Sequence, residues 1–561
     1  MKSHIIIFCI LFISSIGGYS QQIDLNNTKD MISKDKLFKL NGGFSSSVVT
    51  YSGNEPSNRD PFTYYLNGNI NINIAGLLDL PFSFNFTNSG ANYAYPTMPN
   101  RLSLHPVYKS FIGHIGDVSM NFSPYTLNGH QFTGVGMEFR SKSPLKMAVM
   151  YGRLQRAVEL EDGRGGIPAA YKRMGSGVKV EYEKPKYRVG FSLFSASDDE
   201  NSLKHLLPDS LNIMPQKNLA GSISASLSLM SNMQLTMEYG FSLLNRDIRV
   251  SGSDVSDARY DALKLLLNYT FSNNTIGIGY ERIDPGYKTL GAYYFNNDLE
   301  NITLNYARPF FNNKATIALS GGIEHDDLDR VKDSQTRRFI FSGDVNYAHS
   351  ERLNFNLNYT TFQTYMNLRS QFDYINELTP YDNLDTLNYT QLSQNLNFGT
   401  NYVLQRSESR NQNINLFLSY QEAADKQGDI IQEDALSRFY NASLGYGIQF
   451  VPQQFNLNIS LNMTSNKMGN QNSFIIGPTL GGTIRYLDKK MSTGLVLSYN
   501  SAYNESVLKN QVYNLRFNTS YLLMKKHNFS ITAIYRNTNN PAAKIARTNG
   551  LTCTAAYSYR F

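Results

Sequence analysis

Residues Leu219–Leu243, LAGSISASLSLMSNMQLTMEYGFSL, decide the fold. Leu219, Ile223, Ala225, Leu227 and Leu229 share one parity, and Ser222, Ser224, Ser226 and Ser228 take the other. After Ser231-Asn232 the pattern restarts, with Met233, Leu235, Met237, Tyr239, Phe241 and Leu243 set against Gln234, Thr236, Glu238, Gly240 and Ser242. Successive side chains of a strand point to opposite faces, so each half reads as a strand with one apolar and one polar side. The Ser-Asn pair between them reads as a tight turn.

The device recurs along the chain. Phe455, Leu457, Ile459, Leu461 and Met463 alternate with Asn456, Asn458, Ser460, Asn462 and Thr464, and Leu353, Phe355, Leu357 and Tyr359 with Asn354, Asn356 and Asn358. A soluble β-sandwich also alternates, but its polar faces meet bulk water and favour Lys and Glu, whereas these favour Asn, Ser, Thr and Gly. A sandwich also needs two sheets to hide so many apolar rows. A sheet closed in lipid needs one, with apolar residues outward and polar residues lining the interior.

Bulk composition agrees. Hydrophobic residues make up 41% and charged residues 17%, at a mean hydropathy of -0.36. A soluble chain of 561 residues usually carries more charge, and a helical membrane protein is far more apolar. No linker or composition shift divides the chain, and large barrels are the usual single domains of such length. The net charge of +7 is scattered, which argues against a nucleic-acid partner and reads as a solvated surface; outer-membrane lipids are the surroundings expected of a barrel. Aromatics reach 13% with no Trp, so interfacial girdles must be built from Tyr and Phe; Tyr239, Tyr359, Tyr499, Tyr535 and Tyr557 stand on apolar faces near strand ends.

Met1–Ser20 reads as a secretory signal: Lys2, the apolar run Ile5 to Ile16, and Gly18-Tyr19-Ser20 before Gln21. Gln21 to Lys36 reads as a short periplasmic segment, and residues 37–561 as the barrel. Cys9 falls in the signal, leaving Cys553 as the single mature thiol, so no disulfide is expected. Beyond residue 20 no apolar run is long enough for a transmembrane helix.

Connections alternate in length. Short turns fall near Ala75-Gly76, Ser141-Lys142-Ser143, Lys184-Pro185-Lys186, Ser231-Asn232, Ser272-Asn273-Asn274, Asn312-Asn313, Ser350-Glu351, Pro452-Gln453, Lys489-Lys490 and Lys525-Lys526. Longer polar segments, Asp198 to Gln216, Asp326 to Thr336, Asn367 to Asn388 and Glu422 to Asp434, separate them. Short periplasmic turns and longer external loops are the habit of outer-membrane barrels, and hairpin counting gives about 24 strands. The fold class expected is therefore all-β, a large antiparallel transmembrane β-barrel. At the C-terminus Leu551, Cys553, Ala555, Tyr557, Tyr559 and Phe561 share one face. Tyr557, Tyr559 and the terminal Phe561 resemble the signal read by the outer-membrane insertion machinery, which makes that machinery an expected partner.

One region departs from plain hairpins: Met120-Asn121-Phe122-Ser123-Pro124-Tyr125-Thr126-Leu127-Asn128-Gly129-His130, then Phe132-Thr133-Gly134-Val135-Gly136-Met137-Glu138 and Tyr151-Gly152-Arg153. This run resembles a family of uncharacterised outer-membrane β-barrel proteins of Bacteroidota, which carry a phrase like FSPYTLNGH.F.GVG.E followed by YGR in the first third of the chain. The resemblance covers about a hundred residues and implies a Gram-negative outer-membrane location without assigning an activity. Pro124 cannot donate to a ladder, and Gly129 permits a turn, so Pro124, Tyr125, Leu127, Gly129 and His130 read either as a constriction folded into the lumen or as an external loop.

Chemistry-bearing groups are sparse. The mature His residues have no zinc-ligand spacing, and no Cys cluster exists, so neither metal nor cofactor is expected. Glu324-His325-Asp326-Asp327-Leu328-Asp329 could offer oxygens to calcium but reads as a solvated loop. Arg140, Arg153, Arg156, Arg173 and Arg188 could line an anion-attracting stretch of the lumen, or face solvent. Three functions compete: a porin-like channel or transport protein without a TonB-type plug, which is preferred; a structural or accessory subunit of a secretion, assembly or surface complex with an envelope protein partner; and an outer-rim hydrolase built around His325 beside Asp326 and Asp327. No catalytic constellation supports the last.

Overall fold

The structure is a computed structural model that describes residues 38–54, 60–88, 101–160, 169–205, 207–250, 257–331, 337–361, 364–367, 389–427, 430–469, 471–541 and 547–561. The signal expected over Met1–Ser20, the segment Gln21 to Lys36 and most of the polar stretch Asn367 to Asn388 lie outside the described residues.

The described chain is one antiparallel sheet. Its first strands are β1 (Phe38–Gly53), β2 (Phe62–Ile74), β3 (Leu78–Thr87), β4 (Arg101–Leu104), β5 (Val107–Tyr108), β6 (Phe111–Asn121), β7 (Asn128–Arg140), β8 (Leu145–Gln155) and β9 (Lys172–Lys184). Next come β10 (Tyr187–Asp199), β11 (Lys217–Met230), β12 (Met233–Asn245), β13 (Asp257–Phe271), β14 (Asn274–Ile283), β15 (Leu299–Phe310), β16 (Ala315–His325), β17 (Arg337–Ser350), β18 (Leu353–Thr360) and β19 (Thr364–Asn367). The ring continues with β20 (Tyr389–Arg406), β21 (Arg410–Gln427), β22 (Ile430–Phe450), β23 (Phe455–Met468), β24 (Gln471–Tyr486), β25 (Met491–Asn504), β26 (Val507–Leu523), β27 (His527–Asn539) and β28 (Arg547–Arg560).

Apart from the β4/β5 and β18/β19 pairs, each strand pairs with its sequence neighbours, and β28 returns to β1 in a register running from Gly43↔Arg560 to Gly53↔Gly550. The sheet is therefore closed. Both β4 and β5 sit between β3 and β6, and β18 and β19 both pair with β20, so the 28 strand segments occupy 26 wall positions. That even number lies close to the hairpin count and lets β1 begin and β28 end at the same rim. With strands about 4.8 Å apart and tilted by about 40°, such a ring would be about 50 Å across if circular. Extensive strand contact is confined to ladder neighbours, so the walls do not collapse on one another.

The alternation read from Leu219–Leu243 becomes the two faces of the wall. Ser222 and Ser242 are buried on the inner side, while Ile223 and Leu243 are exposed on the outer one. Across the later strands Ile459, Leu461, Leu480, Leu497 and Leu551 form an exposed apolar surface, while Asn462, Thr464, Ser498, Asn514 and Thr552 point inward. The inner polar groups satisfy one another: Ser443 Oγ donates to Asn462 Oδ1 at 2.8 Å, and Thr464 Oγ1 to Asn441 Oδ1 at 2.8 Å. An exposed apolar belt of this extent is stable only against lipid. Tyr rings border it. Tyr499 and Tyr513 meet at 4.8 Å near one rim, and Phe529 meets Tyr557 at 5.0 Å near the other. Tyr513 and Tyr521 of β26 are separated along the membrane normal by about 20 Å at about 3.3 Å per residue, close to the height of an outer-membrane apolar band.

Every short turn named from sequence falls at one end of the barrel, which also receives Phe561, whose N–H donates to the Gly42 carbonyl at 3.0 Å. The long connections fall at the other. One difference stands out: Glu422 to Asp434, expected as a loop, is largely ladder, with Ala423↔Ser437 and Lys426↔Ile431 extending β21 and β22 beyond the belt. From there onward the loop end is made of long hairpins, and β25 turns into β26 through Glu505-Ser506 alone. Polar residues sustain these extensions because cross-strand pairing satisfies the backbone whether or not lipid faces it. A closed sheet with a lipid-facing exterior and a polar interior is the outer-membrane solution to backbone satisfaction. The chain is an outer-membrane β-barrel.

Candidate functional site

Two loop-end connections turn inward and pack together against one arc of the inner wall. The first is Phe122–Leu127, between β6 and β7; the second runs from residue 284 to 298, between β14 and β15. Leu127 and Gly291 form a parallel bridge, with Asn128 N donating to the Gly291 carbonyl at 2.9 Å. Tyr287 Oη donates to the Tyr125 carbonyl at 2.9 Å, and Thr289 Oγ1 to the Thr126 carbonyl at 2.6 Å.

The wall is shaped to receive them. Phe122, Leu127 and Leu290 join Met150, Leu154 and Phe194 in one buried apolar cluster, and Tyr125 and Tyr287 join Ala262 and Ile283 in a second. Gly240 leaves the space that Tyr125 fills: a Cβ there would stand 2.6 Å from Tyr125 Cβ. Gly177 does the same for Phe122, whose ring would lie 2.8 Å from an added Cβ. Polar clamps fix the register. Thr126 Oγ1 lies 3.0 Å from Ser192 Oγ, Asn218 Oδ1 accepts from Leu290 N at 3.1 Å, and Ser123 Oγ donates to Glu238. Because Ser192, Asn218, Glu238 and Gly240 share the inner parity of their strands, the paired loops lie inside the barrel.

Tyr125 Oη donates to Glu281 Oε1 at 3.2 Å. Burial, then the Glu281 and Glu238 carboxylates, push the Tyr125 phenol well above its ordinary pKa, so it remains a donor. On the turn-end side of the loops the inner wall carries mixed charge. Lys264 Nζ lies 3.2 Å from Glu281 Oε2, Arg140 Nη2 lies 2.5 Å from Glu138 Oε2, and Glu183 is held by both Lys146 and Arg188. On the loop-end side Arg173 grips Asp198 with a fork of 2.7 and 2.9 Å, and Asp198 also accepts from Gln216 N at 2.8 Å.

The residues singled out from sequence divide accordingly. Tyr125 and Leu127 are buried in the inward pair, Pro124 is exposed at its tip, and Gly129 adopts a positive φ of 67° where the chain enters β7. His130 is buried and lies against the Tyr293 ring at 4.1 Å, while Gln131 N donates to Tyr293 Oη at 2.9 Å. Arg140, Arg173 and Arg188 are on the inner parity. Arg153 is not: it shares the outer face of β8 with exposed Tyr151, opposite Thr133. Arg156 is exposed in the connection after β8.

At the C-terminus Tyr557 and Tyr559 both meet the Phe44 ring, at 5.9 and 6.0 Å, across the seam that closes the barrel, and Phe561 lies 5.6 Å from Tyr559. In the acidic loop, Asp327 Oδ1 accepts from Val331 N at 2.8 Å, and His325 Nε2 lies 2.9 Å from Glu300 Oε2. These carboxylates shape the loop; among the described residues no group of three His, Cys, Asp or Glu side chains is arranged to hold a metal ion.

Sequence reasoning missed the second inward loop. Its signal was present: Asp284-Pro285-Gly286-Tyr287 and Gly291-Ala292-Tyr293-Tyr294-Phe295 are unusually aromatic for a connection bathed in water.

No known family profile and no curated protein matches the chain. Among solved structures it is similar to the translocation pore of the P pilus usher PapC, at 12% identity, 94% of this chain, 100% of the other and a TM-score of 0.36. It is also similar to the ferric yersiniabactin uptake receptor FyuA from Yersinia pestis, at 10% identity, 93% of this chain, 80% of the other and a TM-score of 0.40. OccD1 (OprD) matches at 10% identity, 76% of this chain, 96% of its own and a TM-score of 0.33. Likenesses this distant say nothing of a cargo.

Proposed function

We propose that the barrel is a porin-like channel or transporter, in which the inward loop pair narrows one arc of a wide polar passage. The observation that carries this reading is the asymmetry of the inner wall. The arc from β7 to β14 is covered by a built partition with glycine seats and polar clamps. The wall from β20 to β28 is lined by Asn, Ser and Thr with Arg485, Arg516, Arg536 and Arg560 among them, and among the described residues no loop is folded across it. A partition built across part of a wide lumen narrows it, as a passage that admits some solutes and retains others requires. The Asn-rich half offers neutral donors and acceptors beside these arginines, which suits polar solutes.

Membership of the Bacteroidota family resembled by Phe122 to Glu138 belongs to the same proposal, as does a signal function for Tyr557, Tyr559 and Phe561. The test is planar-bilayer recording of the purified protein, wild type and with Ser123–Thr126 replaced by Gly-Gly. Steps of conductance that increase in the shortened variant support the channel. Bilayers that stay silent for both, with a partner retained through purification, would replace it with the accessory-subunit reading.

A further inference from the structure

The second inward loop does more than cover the wall. Between it and the loop end of β12 lies a cavity of about 370 Å³, lined by Gln216, Arg246, Tyr287, Lys288, Phe295 and Asn297 among others. Its two cations come from different elements. Lys288 stands on the inward loop, its Nζ donating to Gln216 Oε1 at 3.0 Å, and Arg246 follows β12, its Nη2 donating to Tyr260 Oη at 3.0 Å. Both bonds go to neutral oxygens.

The carboxylate that acts on Lys288, Asp198, is already committed to Arg173 through both of its oxygens. Lys288 therefore lies within the field of two further cations, Arg173 and Arg246, and of one carboxylate. Enclosure by the barrel, and then the Arg173 and Arg246 charges, hold the Lys288 ammonium below its ordinary pKa. Two cations from different elements lining one cavity, each bonded only to a neutral oxygen, make a positive potential there that favours an anion. The loop is held in this place by the Asn218 and Ser242 side chains, which donate to the Lys288 carbonyl at 3.3 and 2.6 Å, so the position of Lys288 is fixed by its own backbone.

We propose that this cavity binds a small soluble anion bearing a phosphate or carboxylate group, held between Lys288 and Arg246. The Asn297 and Gln216 amides face the polar part of the ligand, and the Tyr287 and Phe295 rings its carbon skeleton. The source is the lumen, not the bilayer, because the lining residues come from the inner parity of β12 and from a loop inside the wall. Lipid headgroups have no path to it. Binding does not require ion flow, so the site stands or falls apart from the channel reading.

The test is isothermal titration of the full chain in zwitterionic detergent, with inorganic phosphate in one arm and citrate in the other. Saturable binding at one site in either arm is expected. Lys288→Gln and Arg246→Gln should each weaken it roughly tenfold, the loss of one charge-assisted contact, and the double variant roughly a hundredfold. Lys264→Gln, a lumenal lysine on the other side of Tyr125, should leave affinity within about twofold. Retention of the heat-dependent gel shift reports that each variant still forms the barrel. The absence of saturable heat in both arms, or a folded double variant that binds like wild type, would overturn the proposal. Silent bilayers with intact binding would sink the channel and leave this site standing.

Discussion

Gly240→Val should unseat the first inward loop without opening the barrel. A Cβ at this position would stand 2.6 Å from Tyr125 Cβ and 2.8 Å from Cγ, atoms close to the backbone that cannot swing aside as the end of a long side chain could. Tyr125 is itself 2% exposed and wedged near Tyr287 and Phe295 at 6.0 and 6.2 Å. Forcing methyl groups into such a contact costs about 1–3 kcal/mol. The wall strand is anchored on both sides by its ladders, so the strain is relieved by lifting the loop, which is held by a handful of bonds worth about 1 kcal/mol each. The population with the loop lifted should then rise about 5- to 150-fold. Thr126, fully buried when the loop is seated, reports this directly. In a Cys553→Ala background, Thr126→Cys should react slowly with a charged methanethiosulfonate, and Gly240→Val should accelerate that reaction by the same factor. Gly445→Val is the control, since on the inner face of β22 nothing lies closer than 3.9 Å to its Cβ. Equal labelling rates in all three backgrounds would refute the seated-loop geometry.

Two further outcomes follow from other parts of the wall. Asp198→Asn leaves Arg173, whose side chain is 17% exposed, without its carboxylate at a cost of about 3 kcal/mol, so hydrogen exchange across 199–216 should quicken while the β22–β23 ladder stays protected; unchanged exchange in that loop would contradict the clamp. Deletion of Phe561 removes the residue whose N–H meets the Gly42 carbonyl and whose ring caps the Tyr559 stack at the seam, and should lower the heat-modifiable form in outer-membrane fractions several-fold; a yield equal to wild type would remove the C-terminus from the insertion account.

Much of the fold was legible because a strand's period is short enough to read within a single hairpin. Leu219 to Leu243 carries its own turn and both of its faces, and those faces emerge in the wall unchanged. What alternation cannot supply is the fate of a connection. Nothing local separates Phe122–Leu127 lying inside the barrel from the same residues lying outside it; Gly240 and Gly177, which make room for them, are remote in sequence. The same limit explains Glu422 to Asp434, where acidic and small residues suggest a loop but pairing continues because the partner strand is equally polar. Arg153 illustrates the converse. Its parity with Tyr151 assigns it to the outer face, and grouping it with Arg140, Arg173 and Arg188 by nearness in sequence hid that. The cation pair at Lys288 and Arg246 joins a loop to a strand end and has no sequence motif at all.

The architecture depends most on which side of the sheet meets lipid. Nitroxide labels placed singly along β23, Phe455 to Met468, in protein reconstituted into bilayers would report it through collision with oxygen, which concentrates in lipid, and with a water-soluble nickel chelate. Oxygen contact should peak at 457, 459, 461 and 463 and nickel contact at 458, 460 and 462, out of phase along the whole strand. In-phase profiles, or oxygen maxima on the Asn and Ser positions, would contradict it.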